Sequence, residues 1–85
     1  MYYCVKKVGE TRAPKKPYLM YTMMGYCWAG KSYAYKFDSL DFANQARKDL
    51  IKEGFNVFIE WNDPSKNPKY GAFGEVNSRE LEKKD

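Results

Sequence analysis

The clearest pattern of apolar and polar positions runs from Phe37 to Trp61. Asp38 and Ser39 are both N-cap residues, and Asp41 follows in the first turn, where a carboxylate suits the positive end of a helix. Ala43, Ala46, Leu50 and Ile51 recur at helical spacing as one apolar stripe, flanked by Leu40 and Phe42. Lys48 and Lys52 gather toward the C-terminal end, and Gly54 supplies the left-handed residue that stops the turn. Beyond it Phe55, Val57, Ile59 and Trp61 alternate with Asn56 and Glu60, which predicts a strand with one apolar face; Phe58 interrupts the alternation.

The rest of the chain reads more simply. Met1 to Val8 predicts a strand, and Gly9 to Pro17 a basic loop punctuated by Pro14 and Pro17. Tyr18 to Trp28 predicts one long strand kinked at Gly25. Ala29 to Ser32 then makes a turn into a third strand, Tyr33 to Phe37. The expected fold is a single small α+β domain, β-β-β-α-β, in which the strand after the helix runs parallel to strands one and three of a mixed sheet. Residues 1–62 form this core and 63–85 an extension, with turn chemistry at Asn62-Asp63-Pro64 and at Ser65 to Pro68. Lys69 to Gly74 reads as loop, Asn77 or Ser78 caps a short helix through Leu81, and the polar end frays.

Paired this way, the sheet has two apolar faces. One carries Tyr3, Val5, Leu19, Tyr21, Met23, Cys27 and Ala34, and it suits a helix. The other carries Tyr2, Cys4, Val8, Tyr18, Met20, Met24, Tyr26, Trp28, Tyr33, Tyr35 and Phe37, with Trp28 beside Tyr33 and Tyr26 beside Tyr35. One helix covers one face. Five aromatic side chains left open together approach about a thousand Å², against about 300–600 Å² for the largest patch on a typical monomer. An occupant is therefore expected on the tyrosine-rich face, either the chain's own Tyr70, Phe73, Val76 and Leu81, a second copy, or a foreign partner.

Composition narrows the choice. With 44% apolar and 18% aromatic residues, the 85-residue chain is globular rather than disordered. No apolar run approaches the roughly 20 residues of a membrane helix, and the first seven residues are too short and polar for a secretory signal, so a cytoplasmic location is expected. The net charge of +4 is uneven: residues 1–37 hold seven basic residues and one acid, while the remainder holds eight and ten. A basic half suggests an anionic partner, either nucleic acid or an acidic protein face. Without histidine and with only Cys4 and Cys27, neither a protein-only zinc site nor a Ser-His or Cys-His pair is available, and no cofactor is expected. The two cysteines would lie about 17 Å apart on the expected strands, too far for a disulfide.

Gly25 to Ser32, GYCWAGKS, fits the G-x-x-x-x-G-K-[ST] pattern of phosphate-binding loops. That loop needs a helix beginning at its lysine, whereas Tyr33 to Phe37 alternates like a strand and the helix caps come only at Asp38 and Ser39. Glu60 is the one acid with a half-buried setting. These features predict a non-enzyme that binds through Tyr26, Trp28, Tyr33 and Tyr35, rimmed by Lys6, Arg12, Lys15, Lys16 and Lys31.

Phe37-x-Ser39-x-x-x-Ala43, followed by Leu50 and Gly54-Phe55, resembles the strand–helix–strand half of SPOR-type domains. The second half-repeat has no counterpart here, so peptidoglycan binding is not implied. The whole chain also looks like the small accessory proteins of bacteriophages, with an N-terminal hairpin, a short F-x-S-x-x-x-A helix and a charged tail. That resemblance implies an inhibitor occupying a surface of a host protein, including CRISPR–Cas and other defence systems. Single-stranded nucleic-acid binding is the alternative, through bases stacked on aromatics flanked by lysines, and a homodimeric interaction domain is the third reading.

Overall fold

A computed structural model of the chain describes residues 1–8, 17–66, 71–77 and 81. Among these residues five strands form one sheet: β1 (Tyr2–Lys7), β2 (Tyr18–Thr22), β3 (Gly25–Ala29), β4 (Val57–Asp63) and β5 (Ala72–Glu75). Helix α1 (Leu40–Lys52) lies between β3 and β4 in the chain. The spatial order is β3-β2-β1-β4-β5, and every neighbouring pair is antiparallel. The fold is α+β, one sheet with one helix packed on one face.

α1 forms where its pattern places it. Ser39 is the N-cap, Asp41 sits in the first turn, and Ala43, Ala46 and Leu50 are buried. At the other end Gly54 takes φ 99°, its N–H donates to Ile51 at 3.0 Å, and the Phe55 N–H donates to the Leu50 carbonyl at the same distance. This is a Schellman cap, and Phe55 packs against the core that holds Leu50. The helix covers Val5, Leu19, Phe37, Val57 and Ile59, and Val76 and Leu81 close the same core.

Several expectations are corrected. Tyr18 to Trp28 is not one strand: the chain reverses at Met23-Met24, where Thr22 Oγ1 accepts from the Met24 N–H and donates to the Gly25 carbonyl. The reversal sets the direction of everything after it, so β4 runs antiparallel to β1, and the sheet is not mixed. Residues 72–75, expected in a loop, pair with β4 as an edge strand. Gly74 lies under the Trp61 indole so closely that an added Cβ would stand 2.9 Å from Nε1. Of the short helix expected from Asn77 or Ser78 through Leu81, residues 78–80 fall outside the described residues, as does the polar end 82–85, and Leu81 is buried.

The expected third strand is reduced to one bridge, Tyr3 with Phe37, and a turn of 3₁₀ helix occupies Lys31–Tyr33. β1 and β2 pair only at Lys6 and Tyr18. Below that point they part, and the chain passes between them: the Tyr35 N–H donates to the Leu19 carbonyl at 2.9 Å, and Phe37 exchanges two 2.8 Å bonds with Tyr3. Ala34 is buried on the open side against Cys4 and Tyr18, while Phe37 is buried in the core under α1. The segment thus crosses from one side of the sheet to the other.

Candidate protein-binding surface

A two-residue turn reverses side-chain parity. In the β2–β3 register Tyr21 opposes Tyr26 and Leu19 opposes Trp28, so Tyr26 and Trp28 share the helix side with Leu19. The expected tyrosine-rich face, with Trp28 beside Tyr33 and Tyr26 beside Tyr35, does not form. Trp28 packs against Phe55 at 5.2 Å between centroids, with Lys7 Nζ 4.2 Å from its ring. Tyr26 meets Phe55 and donates from its hydroxyl to Glu53 at 2.8 Å, a bond that raises its pKa. Tyr33 stands on the opposite side of the sheet, 70% exposed. Tyr35 lies in the passage between β1 and β2, against Tyr21 and Phe37.

Of the expected basic rim, Lys6 and Lys31 are on the open side, over Tyr18 and Phe73 respectively. Arg12, Lys15, Lys16 and Tyr70 lie outside the described residues. Phe73 is exposed, whereas Val76 and Leu81 join the core under the helix. The open side centres on Glu60, only 4% exposed. Its Oε2 accepts from the Tyr18 hydroxyl at 3.0 Å, and its Oε1 has no hydrogen-bond partner, with Lys31 Nζ at 3.7 Å. Burial, reinforced by that carboxylate, raises the pKa of Tyr18. Burial pushes the Cys4 thiol up to about 11, with Glu60 adding to it. Cys4 and Cys27 are free thiols. Among the described residues no group of histidine, cysteine, aspartate and glutamate could hold a metal ion.

The phosphate-loop pattern acquires no matching geometry. Gly25–Ala29 is an edge strand, Lys31 begins a three-residue turn, and the lysine reaches Glu60.

The exposed apolar surface gathers elsewhere, where hairpin β2–β3 parts from β1. Between the hairpin and the N-terminal half of α1 lies a groove of about 680 Å³. Tyr21, Tyr35, Phe37 and Phe42 are its apolar lining. Asp38 and Asp49 add negative charge. Phe42 is 72% exposed, and Met23 and Met24 at the hairpin tip are fully exposed. Burial, then the Asp49 charge, raises the pKa of Tyr21. Sequence reasoning placed Phe42 beside the buried stripe and missed this surface. The available signal was the adjacent Met23-Met24 before Gly25, in an apolar run twice the usual strand length of about five or six residues.

Comparisons with protein-family models, with curated proteins and with solved structures find no match to this chain. No helix among the described residues is long and apolar enough to cross a membrane.

Proposed function

We propose that this chain is a small non-enzymatic binding protein that acts by occupying a surface of a larger protein. It presents the hairpin tip and the groove beside it. The observation that carries this reading is the combination of fully exposed Met23 and Met24 with an apolar groove lined by Tyr21 and Phe42. Methionine and aromatic residues are enriched in interface centres, and an unbranched thioether adapts to irregular partner surfaces. The groove suits an apolar helix or loop of the partner, with Asp38 and Asp49 as its polar rim. Inhibition of a bacterial host or defence protein is the form of this reading that the phage resemblance supports.

A second reading has its own observation. Lys6, Lys31 and Lys36 lie 5.2, 4.0 and 5.0 Å from the rings of Tyr18, Phe73 and Tyr2 on the open side, a basic aromatic face of the kind that stacks single-stranded bases. One experiment separates the two. Capture from a bacterial lysate is compared for the wild type, Phe42→Asp and Met24→Asp at low and high salt. Protein occupancy predicts a partner retained at high salt by the wild type and lost by both variants, whose folding by circular dichroism is unchanged. Capture indifferent to both substitutions overturns it, as does recovery only of nucleic acid that salt elutes steeply.

A further inference from the structure

β3 is an edge strand, and its hydrogen-bonding phase is fixed by its neighbours. The two-residue turn closes on Thr22 and Gly25, so bonded and non-bonded pairs alternate from there. Leu19, opposite Trp28, gives its carbonyl to the Tyr35 N–H on the far side of β2. Leu19–Trp28 and Tyr21–Tyr26 are therefore the non-bonded pairs, and the N–H and C=O groups of Tyr26 and Trp28 point outward from the sheet. Among the described residues none accepts from or donates to these four groups. The strand GYCWA has neither a charged residue nor a proline, the usual protection of an exposed edge.

We propose that this edge pairs with the same edge of a second copy, antiparallel about a two-fold axis at Cys27. The strand is symmetric in size about that residue, with a small residue at each end and an aromatic on either side of the sulfur. The axis sets Tyr26 against Trp28 of the second copy and Trp28 against its Tyr26, so the outward groups of both copies pair in two bonded pairs. Cys27 then meets its own copy across a non-bonded pair, with Cα atoms about 4.5 Å apart. That lies within the disulfide range of about 4.4–6.8 Å. The same residues satisfy both sides of the join, which favours a second copy over a foreign strand. Met20, Cys27 and Tyr33 line an open-side hollow of about 470 Å³ at this edge, and pairing joins two such hollows across the axis. The proposal is independent of the groove and hairpin tip.

The test uses the full chain. Sedimentation under reducing conditions should give twice 10.0 kDa, falling to one copy on dilution. Cys27→Asp, which sets two carboxylates face to face, should remain at 10.0 kDa. With diamide, two Cys27 thiols lose two electrons and two protons to the reagent and form one disulfide. A peptide map should then show Cys27 joined to Cys27, while Cys27→Ser stays dimeric but unlinked. Cys4, 3% exposed, should remain unmodified. A wild type that stays at 10.0 kDa at millimolar concentration overturns the proposal. So does a dimer that folded Cys27→Asp does not split. Should that variant fail to fold, a wild-type dimer giving no Cys27–Cys27 peptide overturns it alone.

Discussion

Raising the pH should unfold this protein partly through one thiol. Cys4 is 3% exposed, lies opposite Glu60 in the β1–β4 register and packs against Ala34. Its pKa moves from 9.0 to about 11, chiefly by burial and then by the Glu60 charge, with Lys31 and Lys36 opposing. Between those values the unfolded chain has released the proton and the folded chain still holds it, so stability falls as pH rises. The contribution is fully present below about pH 9 and lost as pH passes about 11. Two decades in proton affinity correspond to about 3 kcal/mol. The perturbation is Cys4→Ala, and the assay is urea unfolding followed by Trp28 and Trp61 fluorescence across this range. The other tyrosines and lysines titrate in both proteins, so the stability difference between them isolates Cys4. That difference should shrink by about 3 kcal/mol from neutral pH to beyond pH 11. A difference that stays constant would refute the reasoning, because water would then reach the thiol past Ala34.

Gly74→Ala should destabilise by about 1–3 kcal/mol in the same urea assay, because the new methyl group cannot share space with the Trp61 indole 2.9 Å away. Ser65→Ala should raise the Asp63 pKa, measured by carboxyl NMR titration. Asp63 is held below the usual 3.8 mainly by the Ser65 hydroxyl at 2.6 Å, so its stabilisation is present above that value and lost as pH falls through the folded-state pKa. Removing the hydroxyl should start that acid loss at a higher pH, and an unmoved titration would show that the backbone N–H at 3.1 Å suffices.

What could be read from the chain was what local chemistry decides. The stripe Ala43, Ala46 and Leu50, the stop at Gly54 and the alternation of Val57, Ile59 and Trp61 need no distant partner to be recognised, and each element stands where its pattern put it. The hairpin turn was hidden because Met23 and Met24 are not turn-forming residues. That single omission moved Tyr26 and Trp28 to the wrong side and reversed β4 relative to β1. Residues 33–37 alternate as a strand does, and Ala34 and Phe37 do face opposite sides. Only Phe37 forms a bridge, and Tyr35 gives one N–H to Leu19, since the sheet parts at that place. Glu60 was legible as a half-buried acid. Its phenol and ammonium neighbours come from Tyr18 and Lys31, far away in sequence and joined only by the register.

The passage of residues 34–37 between β1 and β2 gives one short length of chain two masters. Ala34 roofs the thiol and carboxylate side, while Tyr35 and Phe37 shape the hollow on the other. Solvent exposure therefore misjudges Tyr35: nearly half open, it would rank among replaceable surface positions, yet displacing it loosens the lid one residue away. The two sides of the molecule cannot be remodelled separately, by an engineer or by drift.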